Sequence, residues 1–300
     1  MDASRRRTLG ALAGLALVGS VRAREAMHTR AIPASGERLP VIGVGTWQTF
    51  DVGGDPAARA ALQEVLRTFF AGGGRVVDSS PMYGSSESVV GDLCQGLGIC
   101  EPLFMASKIY TRGREEGLRG MQRSIERMRA GRMDLMQVHN LLDVETHTPT
   151  LREWKAAKRV RYIGITHYTS SVYPEVERLL KTKQYDFLQI NYSLGEAESE
   201  KRVLPLAQEL GVAVIANRPF AEGALFRQVR GNPLPAWAAE LGIASWAQFF
   251  LKWIVSHPAV TCAIPGTGKP EHMADNLQGG FGPLPDAAQR ARMAQHYAAL

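Results

Sequence analysis

What this chain has little of narrows it first. Among 300 residues there are three cysteines, Cys94, Cys100 and Cys262, and no C-x-x-C pair. An odd count without paired spacing argues against a disulfide framework. Cys94 and Cys100 could bridge, but the expectation is that each packs as a small apolar residue. H-E-x-x-H is absent, and His28, His147, His257 and His296 are scattered, so no metal site is expected. There is no G-x-G-x-x-G. The segment IGVGTW offers a single G-x-G, followed by bulky Trp47 where a phosphate loop needs small residues. The apolar run Leu9–Val18 is too short to span a bilayer. A basic stripe interleaved with aromatics is also missing. The formal charge is +6, but the first 23 residues hold four arginines against one aspartate, leaving the body at +3. That excess is too mild to argue for nucleic acid.

What is present begins with SRRRTLGALAGLALVGSVRA, residues 4–23. Paired arginines precede a short apolar run and a small-residue ending at Ala23, the pattern of a twin-arginine export signal. Residues 1–23 are therefore expected to be a signal peptide. The twin-arginine export machinery would be its partner and the periplasm its destination; without export the protein would be cytoplasmic. No Pro/Ser/Gly linker divides the remainder, so residues 30–300 are expected to form one domain.

Across that span, short apolar runs alternate with longer amphipathic ones. Strands are predicted at 41–45, 75–79, 103–109, 134–140, 162–167, 187–191, 212–217 and 260–266. Most are near-continuously apolar, as strands covered on both faces by helices must be. Helices are predicted between them, for example over SESVVGDLCQGL and REEGLRGMQRSIERMRAG. Another is expected to open at HTPTLREWKAA, with Thr and Pro at its start. Eight strands alternating with helices over about 250 residues predict an α/β fold, a (β/α)₈ barrel. A doubly wound open sheet is the competing architecture. The PASGE stretch before the first strand predicts a small N-terminal hairpin that closes the barrel floor.

In such a barrel the strand C-terminal ends open on one face. Asp78 ends the second predicted strand, Lys108 lies near the end of the third and His139 near the end of the fourth, with Tyr83 in the loop after Asp78. Together they suit proton donation. A phenol with an ordinary pKa of about 10 holds its proton near neutrality, and a neighbouring ammonium would lower that value toward the working pH. A carboxylate keeps the lysine charged, and a histidine can donate to a carbonyl oxygen. That chemistry fits C=O reduction, with the hydride supplied by a cofactor.

These residues carry a resemblance. GVGTW, VVDSSPMYGSSE, SKIY, DLMQVHN, YIGITHY, FLQINYS and IPGTGKPEHMADN together resemble the aldo-keto reductase family, over roughly residues 38 to 280. The resemblance implies a barrel that binds extended NADP(H) without a Rossmann fold. It implies Tyr83 as general acid, Asp78 and Lys108 as its modulators, and His139 as the residue orienting the carbonyl. For the cofactor it implies Gly45, Thr46, Thr166, His167, Gln189, Asn217 and Arg218, then Gly266, Thr267, Lys269, His272, Asp275 and Asn276. Gln189 matches the position that bonds the nicotinamide carboxamide. Three departures stand out. His167 replaces the Asn of the usual Ser-Asn pair. Asn217-Arg218 replaces a Tyr-Ser whose ring stacks on nicotinamide, leaving Phe220 as a substitute ring. Lys269 stands where many members have an arginine near the 2′-phosphate, so NADP(H) is favoured over NAD(H) by a single point charge. Trp47 and Asn140 are expected to meet a small carbonyl substrate. The alternative function is a nucleotide-holding binding or sensor protein with slow turnover; a metal-dependent barrel hydrolase lacks its carboxylate ligands.

Overall fold

The computed structural model describes residues 26–300. The export signal expected over residues 1–23 lies outside the described residues. An antiparallel hairpin, β1 (Thr29–Ala31) and β2 (Arg38–Pro40), comes first. Eight parallel strands follow: β3 (Val44–Gly45), β4 (Val76–Asp78), β5 (Phe104–Ile109), β6 (Met133–His139), β7 (Val160–Thr166), β8 (Phe187–Asn191), β9 (Ala213–Asn217) and β10 (Val260–Ala263). They pair in chain order. Gly43 N donates to Ala263 O (2.8 Å), Ala263 N to Val41 O (2.9 Å) and Gly45 N to Pro265 O (3.2 Å), joining first strand to last. The result is the expected (β/α)₈ barrel.

The surrounding helices are α1 (Pro56–Ala71), α2 (Ser86–Leu97), α3 (Arg114–Arg127), α4 (Val144–Ala156) and α5 (Tyr173–Leu180), then α6 (Val203–Glu209), α7 (Ala224–Gln228), α8 (Trp246–Val255), α9 (Pro270–Gln278) and α10 (Ala287–Ala298). Local chemistry fixes several ends. The Asp55 carboxylate accepts from Ala57 N and Ala58 N ahead of Pro56 in the first turn of α1. Asp286 and Gln289 form a reciprocal capping box on α10. The helix expected to open at HTPT instead begins at Val144, which puts Pro149 inside it. Asp143 is the N-cap, its carbonyl accepting from Thr146 N and His147 N, while its carboxylate accepts from Gly113 N and Thr146 Oγ1.

Cys94 and Cys100 correct another expectation, because they are joined in a disulfide. The reason is local. Gly98 takes a left-handed conformation (φ 67°) that ends α2 and turns the chain back, bringing the two Cα atoms to 5.0 Å. Cys262 remains a buried free thiol.

Residues of one parity on each strand point into the barrel. Val76, Phe104, Leu135, Tyr162, Phe187, Ile215 and Cys262 fill its lower interior, and Ile32 and Leu39 of the hairpin pack among them. Tyr162 donates its hydroxyl to Glu37, which also pairs with Arg161, so the hairpin turn is tied to the base of β7. The floor is closed as the sequence predicts. Two or four residues further along, the same inward rows turn polar: Asp78 on β4, Lys108 on β5, Gln137 and His139 on β6, Thr166 on β7, Gln189 on β8 and Asn217 on β9. The strand register places Lys108 beside Gln137, His139 beside Thr166 and Thr166 beside Gln189.

Candidate active site

Those polar rows meet at the bottom of a cavity of about 670 Å³ in the barrel mouth. Beneath it lies Lys108, whose side chain is fully buried. Its Nζ donates to Asp78 Oδ1 (2.8 Å), Asp78 Oδ2 (2.7 Å) and the carbonyl of Ser79 (2.7 Å). Only an ammonium can offer a hydrogen to each of these three oxygens. Burial disfavours that charge, yet the Asp78 carboxylate and the Tyr83 hydroxyl hold the Lys108 pKa above the ordinary lysine value. Burial pushes the Asp78 carboxyl upward while Lys108 pulls it down. These two shifts favour opposite protonation states, and the three contacts decide for the charged pair.

Tyr83 stands next to this pair, its ring centre 5.1 Å from the Lys108 nitrogen. Burial raises the phenol pKa, and the pull of Lys108 does not reverse it. The expectation from sequence was a lowered value; desolvation outweighs the ammonium here. The phenol is therefore firmly protonated at neutral pH. His139 meets the Tyr83 ring edge-on, centroids 5.7 Å apart, and Tyr110 closes from another side at 5.1 Å. Burial, then repulsion from Lys108, drives the His139 pKa down to about 2, so the imidazole is neutral.

Of the residues singled out by sequence, Gly45, Thr46, Trp47, Asp78, Tyr83, His139, Asn140, Thr166, His167, Gln189, Asn217, Arg218 and Gly266 all line this one cavity. Gln189 is already engaged, donating to Asp78 Oδ2 (3.2 Å) and accepting from Gln137 Nε2 (2.8 Å). Phe220 also lines the cavity, packed against Phe226 at 4.9 Å. Thr267, Lys269, His272, Asp275 and Asn276 lie outside the lining, around the start of α9 and along it. Lys269 and His272 are exposed. Thr267 and Asn276 are buried, and Thr267 Oγ1 accepts from Lys269 N (3.1 Å). Asp275 is committed elsewhere: its carboxylate accepts from Ser245 Oγ (2.7 Å) and Gln248 Nε2 (2.6 Å), tying α9 to α8.

Sequence reasoning passed over several lining or supporting residues. Ser80 bonds His139, Gln137 bonds Gln189, and Met82, Tyr110, Tyr168 and Phe226 form the rim with Trp47. Alternation along β6 was the available signal for Gln137, since it lies two residues before His139.

Two buried polar atoms test whether a cofactor fits. Asn217 Oδ1 and Arg218 Nε have no partner among the described residues, and both residues face the cavity. Arg218 is only loosely neutralised, by Glu196 at 3.4 Å and Glu222 at 3.3 Å. An anionic group seated there would accept from Arg218 Nε, and a hydroxyl or amide N–H beside it would donate to Asn217 Oδ1. The residues present therefore fit a phosphorylated cofactor. Among the described residues no cluster of His, Cys, Asp and Glu could hold a metal ion.

Comparison with known proteins gives the fold and the family. Methylglyoxal reductase YeaE of Escherichia coli is 28% identical over 258 residues, covering 83% of this chain and 89% of that protein. An aldo/keto reductase of Klebsiella pneumoniae, solved with NADP and acetate, superposes with a TM-score of 0.75 at 24% identity, covering 87% of this chain and 93% of that one. Another structure from Klebsiella pneumoniae, an aldo-keto reductase with NADPH, gives 0.74 at 23% identity, covering 92% and 96%. These structures share the fold. The sequence profile of the Aldo/keto reductase family matches residues 41–297, nearly the whole described chain, and the protein belongs to that family.

Proposed function

We propose that this protein reduces the carbonyl group of an aldehyde or ketone, with Tyr83 as the proton donor. The observation that carries the reading is the convergence of Tyr83, the Lys108–Asp78 pair and neutral His139 on one cavity. A nicotinamide cofactor supplies the hydride when bound. Tyr83 holds a proton ready for the carbonyl oxygen. The Lys108 ammonium stabilises the phenolate left behind, and Asp78 keeps that ammonium charged and aimed. His139 offers a hydrogen bond that orients the same oxygen.

Arg218 is assigned to the cofactor's phosphate-bearing part, on the strength of its unpartnered buried Nε, and Asn217, whose free Oδ1 needs a donor, to a hydroxyl or amide N–H of the cofactor. Gln189 and Thr166, side by side on β8 and β7 in the cavity lining, are assigned to the carboxamide. NADP(H) is preferred to NAD(H). Lys269 and His272 stand exposed beside the α9 N-terminus, without an ion pair among the described residues, and the Klebsiella relatives were solved with NADP or NADPH. Trp47, Met82, Tyr110, Tyr168 and Phe226 are each 37% to 46% exposed around the mouth. Such a collar favours an apolar or aromatic carbonyl compound over one as small as methylglyoxal.

The assay is stopped-flow mixing of protein and NADPH with a panel of aldehydes and ketones, following nicotinamide absorbance. Turnover on an aromatic aldehyde is the expected result. Bound nucleotide without turnover on any compound would favour the second reading, a nucleotide-holding sensor, which the missing ring at Asn217 makes worth testing.

Export belongs to the same proposal. Arg5 and Arg6 before the apolar run support it, and so does the Cys94–Cys100 bridge, because such bridges persist in oxidising compartments. Replacing Arg5 and Arg6 by Lys should leave unprocessed protein in the cytoplasm; continued export would refute the assignment.

A further inference from the structure

The reductase reading leaves open how His139 comes to present a hydrogen, rather than a lone pair, to the carbonyl oxygen. A neutral imidazole carries one N–H, and the two tautomers act oppositely on that oxygen: one donates, the other repels. Something must choose between them.

Ser80 is fully buried behind the ring, in the loop that joins β4 to α2. Its Oγ lies 3.0 Å from His139 Nδ1. The same oxygen accepts from Met82 N at 3.3 Å. Among the described residues no other acceptor bonds the Ser80 hydroxyl, so its hydrogen goes to Nδ1. If Nδ1 carried the hydrogen instead, Ser80 would hold a buried O–H with nothing to receive it, a loss of roughly 1–3 kcal/mol. Among the described residues His139 Nε2 has no hydrogen-bond partner, and the residue belongs to the cavity lining. Tyr83 and Tyr110 wall the ring edge-on, so turning it over requires both to move.

We propose that Ser80 is a positioning residue that locks His139 in the Nε2–H tautomer by donating its hydroxyl hydrogen to Nδ1. The loop thus supplies the proton donor and, three residues earlier, the group that orients the second donor. The depressed pKa of His139 agrees with this, since a ring that stays neutral needs its single hydrogen assigned.

The proposal rests on the reductase reading for its purpose, but its first test does not need turnover. In ¹⁵N-histidine-labelled protein, two-bond correlations should show His139 with a protonated Nε2 and an unprotonated, hydrogen-bonded Nδ1. A protonated Nδ1 would overturn the proposal outright. Ser80→Ala should shift the Nδ1 signal toward that of an unbonded nitrogen. It should also lower kcat about tenfold, the scale at which outer partners of an oriented histidine act, while KM for carbonyl compound and for NADPH stays within about twofold. Ser80→Thr, which keeps the hydroxyl, should restore both the signal and kcat. An unchanged Nδ1 signal in Ser80→Ala counts against the lock, as does a loss confined to KM. If the wild-type protein reduces nothing, the reductase reading fails, and the nitrogen signals still decide the tautomer.

Discussion

The Lys108 ammonium lies 5.1 Å from the centre of the Tyr83 ring while its three contacts run the other way, to Asp78 and the Ser79 carbonyl. The charge is thus fixed from behind and felt in front. This sets what each partner contributes, and the contributions separate by mutation.

Tyr83→Phe removes the transferable proton and leaves the packing against His139 nearly intact. Carbonyl reduction should fall by about 10²- to 10⁴-fold, the usual contribution of a positioned acid. NADPH affinity, followed by protein fluorescence, should change less than twofold. Undiminished turnover would show that the proton comes from elsewhere.

Asp78→Asn leaves an ammonium buried without its counter-charge. Breaking such a pair costs about 3–5 kcal/mol. The urea midpoint should fall accordingly, and turnover should fall with it. A variant as stable as wild type would mean that Lys108 loses its proton when Asp78 is neutralised.

His139 gives a pH signature. Its pKa of about 2 in the folded protein lies below the value near 6.5 expected when unfolded. Between those values the unfolded chain binds a proton that the folded chain does not. The stability is fully present above pH 6.5 and is lost progressively as pH falls toward 2, with about 2 kcal/mol gone by pH 5. His139→Asn should flatten this part of the acid slope in urea titrations at pH 7 and pH 5. Because the Tyr83 phenol is raised rather than lowered, the reduction rate of wild type should stay level from neutrality to about pH 10.

Arg218→Ala should weaken NADPH binding about tenfold, as expected when one charge-assisted contact is lost, while the affinity for an uncharged carbonyl compound in the presence of saturating cofactor changes little. Equal affinity for NADPH in wild type and variant would remove Arg218 from the cofactor site.

The Cys94–Cys100 bridge closes a short loop, so its entropic contribution is about 2 kcal/mol. Cys94→Ser with Cys100→Ser should lower Tm by roughly 4 °C. A reducing agent should do the same to wild type and nothing further to the double variant.

Much of this was readable before the structure. Strands such as YIGITH and FLQIN announce themselves because two-sided burial demands unbroken apolar residues, and Asp78 and Lys108 stand out as charges at the ends of such runs. Other features left no local trace. The Ser80 hydroxyl meets a ring 59 positions away and Gln137 an amide 52 away, and nothing nearby in the chain marks either contact. Helix α8 is buried on every side, so WAQFFLKWIV shows no polar face for a periodicity argument to find. Pro149 is a poor guide to the start of α4, because the helix opens at Asp143, a left-handed N-cap whose carboxylate is held by a distant backbone amide, Gly113 N.

The hairpin that stoppers the barrel has a practical consequence. Ile32 and Leu39 sit at the end opposite the aromatic collar, and the chain enters the fold on that side. A tether joined ahead of Met27 would hold the molecule by its base, leaving the mouth turned outward to whatever flows past.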